Sequence, residues 1–105
     1  MNKAFETRLL VNNLPIDLNE FAHQYVTSIV ICAVSTLKGG ENVETLVYNM
    51  DGAQTGLTIN GLPVPLSPFP RDALQGTFSG MASSLRGVNK IDSLRIEMEP
   101  VKTAK

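Results

Sequence analysis

Apolar and polar residues alternate with period two at Leu46-Tyr48-Met50 and again at Leu94-Ile96-Met98, where Arg95 and Glu97 fall between the apolar positions. That pattern predicts two strands, each burying one face. Ahead of each strand lies a longer apolar-rich segment with helix signals at both ends. Asn19 and Ser67 are good N-caps, and Pro68 takes the favoured first helical position. At the far ends, Lys38-Gly39 and Arg86-Gly87 offer a cation for the helix dipole and a glycine for a left-handed cap. Two helices of about 19 residues are expected.

Before the second helix, Asn60-Gly61 sits between two apolar runs, as in a type I′ hairpin turn. Asn12-Asn13 holds the same place before the first, and asparagine tolerates the positive φ that such a turn needs. Pro15 and Pro63 follow these turns. Lacking an amide hydrogen, they point to very short strands at a sheet edge.

These matching signals have a common spacing. Shifting the chain by 48 positions aligns residues 11–50 with 59–98 without a gap, and 10 of the 40 pairs are identical: Asn12/Asn60, Leu14/Leu62, Pro15/Pro63, Leu18/Leu66, Phe21/Phe69, Ser35/Ser83, Leu37/Leu85, Gly39/Gly87, Leu46/Leu94 and Met50/Met98. The expected architecture is a single α+β domain over residues 1–105, made of two tandem ββαβ repeats with pseudo-twofold symmetry. Repeat 1 covers about residues 5–50, repeat 2 about 53–98, and a tail runs from 99 to 105. A turn-rich stretch, residues 51–56, joins them. The two units should form a mainly antiparallel sheet of about six strands with two helices on one face. Nothing in the pattern orders the strands. Phe21 and Phe69, recurring at equivalent places, are expected to anchor their helices in the core.

The helices differ from ordinary surface helices in charge. No Asp, Glu, Lys or Arg lies between Glu20 and Lys38, or between Asp72 and Arg86. A helix on a sheet normally turns a charged face to water, so burial against a partner is expected. Gly76, Gly80 and Ser84 recur every four residues, with Ser28, Cys32 and Thr36 at the matching positions of the first helix. Mid-helix glycine costs about 1 kcal/mol relative to alanine, which suggests that close approach is its benefit. These six residues form a candidate helix–helix interface, within one chain or across a homodimer.

Composition narrows the chemistry. With 9 basic and 10 acidic residues the net charge is −1, which gives no broad attraction for nucleic acid or anionic lipid. The apolar stretch from Ile29 to Val34 is far too short to cross a bilayer. One cysteine forms no internal disulfide, and the opening residues lack a basic stretch followed by a long apolar core, so a cytoplasmic protein is expected.

His23 and Cys32, the only residues of their kinds, leave no closed His/Cys metal site. Nine residues apart on one helix, they lie about 13.5 Å apart along its axis, too far for a nucleophile and its base. Serine-nucleophile motifs are absent, and Lys38-Gly39-Gly40 follows a helix, where the dipole repels an anion. No cofactor is expected. The sequence therefore favours a non-enzymatic, self-associating module, a homodimer or a binder of another protein. The alternative is a small-molecule binder or minor enzyme, with polar groups such as Asn12, Asn60, Tyr48, Arg71 or Asp72 converging on a pocket at the repeat or dimer interface. A rigid proline-rich rim, residues 63–70, offers a further recognition edge.

Overall fold

The computed structural model describes residues 5–52, 54–85 and 87–101 of the chain. The elements in chain order are β1 (Phe5–Val11), β2 (Leu14–Pro15), α1 (Glu20–Val34), β3 (Leu46–Asp51), β4 (Gln54–Ile59), β5 (Leu62–Pro63), α2 (Pro68–Ser83) and β6 (Ser93–Pro100). The six strands form one open sheet in the order β2-β1-β6-β3-β4-β5, every neighbouring pair antiparallel. The class is α+β, as expected.

The turns follow the residues that favour them. Asn12 and Asn13 have φ of 53° and 67°, Asn60 and Gly61 of 55° and 80°, the left-handed pair that a type I′ hairpin requires. The hairpins lead into the two-residue strands β2 and β5, which close the two edges of the sheet with Pro15 and Pro63. Proline there costs no ladder bond and blunts the edge against further pairing. The stretch expected as a linker is instead part of a tight hairpin. Asp51 pairs directly with Gln54, and Gly52, at φ 61°, lets the chain reverse between them.

At the centre, β3 and β6 run antiparallel with Tyr48 opposite Ile96, Leu46 opposite Met98 and Met50 opposite Leu94. Outside this pair, Val11 and Leu9 of β1 face Leu94 and Ile96 of β6, while Ile59 and Leu57 of β4 face Leu46 and Tyr48 of β3. All of these side chains belong to one core, covered by Val26, Val30 and Val34 of α1 and by Leu74, Phe78, Met81 and Ala82 of α2. The strand alternation is therefore real: one sheet face packs under the helices and the other is open.

Tyr48 and Phe78 meet edge-on, with centroids 4.7 Å apart and planes at 84°. The Tyr48 hydroxyl is buried without a well-formed hydrogen bond. Burial pushes its phenol up to about 12, opposed only in part by the neighbouring Thr55 hydroxyl.

Both helices start where expected. Asn19 caps α1, its side chain accepting from the Ala22 amide at 2.8 Å; Ser67 precedes α2 without a side-chain bond, and Pro68 begins the helix. They are shorter than expected, 15 and 16 residues. Hydroxyls explain the early ends. Ser35 donates to the Cys32 carbonyl and Thr36 to that of Ala33, while Ser83 and Ser84 donate to those of Gly80 and Met81. Such bonds satisfy terminal carbonyls and compete with another helical turn. Gly39 and Gly87 do adopt positive φ, 94° and 88°, but in the turns beyond. Lys38 thus lies outside the last turn of α1, which holds no basic residue, and Arg86 lies outside the described residues.

Candidate interaction surface

The expected anchoring of Phe21 and Phe69 is overturned. They are 75% and 80% exposed, the most exposed large apolar side chains among the described residues, followed by Leu62 and Leu14. Helical phase is the reason. Phe21 lies five residues before Val26, and Phe69 five before Leu74, about 500° of helical turn, which puts each ring on the far side from the core. Phe21 gains only a stacked contact with Tyr25 on its own helix, at 6.0 Å.

The same phase organises the rest of the outer surface. Residues 7 and 11 positions after each phenylalanine return to within about 20° of it, so Phe21, Ser28 and Cys32 form one line along α1, and Phe69, Gly76 and Gly80 another along α2. Ser28, Cys32, Thr36, Gly76, Gly80 and Ser84 are all exposed. A β-carbon added at Gly76 or Gly80 would meet nothing within 4 Å, so neither glycine serves close packing inside the chain. Each outer line thus begins with a projecting aromatic ring and continues as a low track, uncharged from Ser28 onward in α1 and from Gly76 onward in α2, with the exposed Asp72 between Phe69 and Gly76.

The opposite side of the molecule carries a cluster of ion pairs. On the open sheet face Arg8 pairs with Glu97 and Glu99, both at 3.4 Å, and Arg95 pairs with Glu97 while its Nη1 donates to Asn49 Oδ1 at 2.7 Å. Such exposed pairs contribute little to stability and mark a hydrated surface. A shallow depression of about 300 Å³ opens on this face, where Leu10, Asn13, Asn49, Asp51, Ser93 and Arg95 come together from β1, its turn, β3 and β6.

The polar residues considered for a pocket do not converge. Tyr48 is in the core, and Arg71 and Asp72 form an exposed 3.4 Å pair on α2. Asn12 and Asn60 have structural work that the sequence did not disclose. Asn12 Oδ1 accepts from the Asp92 and Ser93 amides at 2.7 and 3.0 Å, and its Nδ2 donates to the Lys90 carbonyl at 2.8 Å. Asn60 does the same with the Glu44 and Thr45 amides, at 2.6 and 3.0 Å, and with the Asn42 carbonyl at 2.8 Å. His23 accepts from the Thr7 amide, and Cys32 is a free, exposed thiol.

Among the described residues no group of three or more His, Cys, Asp or Glu side chains is placed to hold a metal ion, and no helix is long and apolar enough to cross a membrane. Comparison with protein-family models, with curated proteins and with solved structures finds no match.

Proposed function

We propose that this chain is a non-enzymatic protein-interaction module that associates with a second copy of itself through the outer face of its two helices. The observation that carries the reading is the pairing of exposed Phe21 and Phe69 with the uncharged tracks Ser28–Cys32 and Gly76–Gly80 on the same surface. A twofold interface must be self-complementary, and a face holding both projecting rings and low glycine tracks meets that need. Area is sufficient. The molecule measures 42 × 32 × 18 Å, so its broad face is about 1,300 Å², against roughly 800 Å² per partner in a standard interface. Charge supports this choice of face, since Arg8, Arg95, Glu97 and Glu99 pair on the open sheet, while the charges on the helices, Glu20 and the Arg71–Asp72 pair, stay near the helix starts.

The same proposal includes the origin of the surface. Two tandem ββαβ units, related by a pseudo-twofold axis through the Tyr48–Ile96 pair, account for matched registers on the two sides of the seam and for two asparagine clamps 48 residues apart. A duplicated unit places its track twice on one face. A cytoplasmic setting belongs to this reading as well.

A second reading is favoured by the depression beside Asn49 and Arg95, which lies across the seam between the two units and presents an amide, a guanidinium and the Asp51 carboxylate to a small polar ligand. Native mass spectrometry of the full chain separates the two. A dimer is the result expected of the interaction module. A monomer contradicts it, and mass beyond the polypeptide brings the ligand reading forward.

A further inference from the structure

Among the described residues β2 pairs only with Leu10 and Val11, and no strand lies against the rest of the outer edge of β1. The Ile16 amide covers the Leu9 carbonyl. Two residues earlier, the Thr7 amide donates to His23 Nε2 at 3.2 Å, and the Thr7 hydroxyl shares a 2.6 Å hydrogen bond with that of Thr27. Thr7 is the one buried polar residue among those described, so its amide needs a protein acceptor.

We propose that His23 is an acid-operated catch on the free edge of β1: the neutral ring closes the edge by accepting the Thr7 amide, and protonation releases it. Accepting that bond requires a lone pair on Nε2, which puts the single ring proton on Nδ1. The imidazolium has two N–H donors and no acceptor, so a proton on Nε2 sets donor against donor. The amide is then buried without a partner, and the Thr7–Thr27 hydroxyl bond is left to tie α1 to β1.

The surroundings offer the charged ring little compensation. On α1, Glu20 stands one turn before His23 at the exposed helix start, and Gln24 and Thr27 are uncharged. On β1, Glu6 and Arg8 lie on the opposite sheet face, Arg8 held by Glu97 and Glu99. Asp17, in the connection from β2, is exposed, and α2 carries no charge after Asp72. Among the described residues no ion pair includes His23.

The corresponding edge of β4 is fastened differently. Gln75 donates its side-chain amide to the Thr55 hydroxyl, and position 71, the counterpart of His23, is an arginine, a donor without an acceptor. With one histidine in the chain, acid sensitivity of this kind belongs to the β1 edge alone.

The test is nuclear magnetic resonance on the ¹⁵N-labelled full chain, reading the coupling between the Thr7 amide nitrogen and His23 Nε2 across the hydrogen bond while the ring is titrated. The expected result is a coupling present with the neutral ring and lost in step with its protonation. Thr7 exchange protection should fall at least about tenfold over the same steps. In His23→Gln, whose amide oxygen accepts but does not titrate, protection should stay level. A neutral ring carrying its proton on Nε2, or Thr7 protection that ignores the ring's titration or falls equally in H23Q, would overturn the proposal.

Discussion

Asn12 and Asn60 each close the loop before the neighbouring strand, one contributed by the other half of the chain. Each side chain satisfies two amides and a carbonyl while its own backbone holds the positive φ of the hairpin turn. Asn60→Gly keeps the turn and removes the bonds, so a loss of about 1–2 kcal/mol is expected in denaturant unfolding. Asn60→Ala adds strain at φ 55° and should cost about 1 kcal/mol more. Equal, near-zero losses in both would mean that the clamp is incidental.

Gly76 and Gly80 separate folding from assembly. Neither has a positive φ, and added β-carbons meet open space, so Gly76→Ala and Gly80→Ala should each raise monomer stability by up to about 1 kcal/mol. Gly80→Leu should fold normally and weaken self-association at least about tenfold, because a filled track excludes the partner's ring. Sedimentation and thermal melting of the same samples read the two effects.

The double variant Phe21→Ser/Phe69→Ser should likewise be monomeric with unfolding free energy within about 0.5 kcal/mol per site of the parent, since both rings are exposed. Core anchoring would instead give losses of about 3–5 kcal/mol for such truncations.

Tyr48 predicts an alkaline effect of definite sign. In the unfolded chain its phenol ionises near 10, whereas the folded protein holds the proton to about 12. Stability from this group is therefore intact below pH 10 and is lost as the pH rises from 10 to 12. Tyr48→Phe should lack that part of the decline. At neutral pH it should equal the parent or exceed it by up to about 1 kcal/mol, because the hydroxyl it removes has no well-formed bond. Urea midpoints of both proteins across this range provide the comparison.

Features decided by neighbours in sequence were legible in it. Asn60-Gly61 fixes its turn through local backbone preference, and the alternation at Leu46-Tyr48-Met50 marks the buried face whatever strand lies alongside. Strand order had no such local signal: Leu94 faces Val11 and Met50 across hydrogen-bonded ladders between residues more than 40 positions apart. The clamps of Asn12 and Asn60 were hidden for the same reason. The first helix ends before its Lys38-Gly39 signal because the hydroxyls of Ser35 and Thr36 take its terminal carbonyls first. Phe21 and Phe69 differ, since spacing alone sets their phase against Val26 and Leu74 and turns them outward, and recurrence at equivalent places carries no information about burial.

The helix face carries its own reporter, because Cys32 is the single cysteine and lies exposed on the α1 track. The most direct test of association through that face is the rate at which a thiol reagent modifies Cys32 in the native full chain as protein concentration is raised. The account predicts fast labelling in dilute samples and progressively slower labelling as dimers form and cover the thiol. A rate that stays constant over a concentration range in which the mass doubles would contradict it, and would put the interface elsewhere on the molecule.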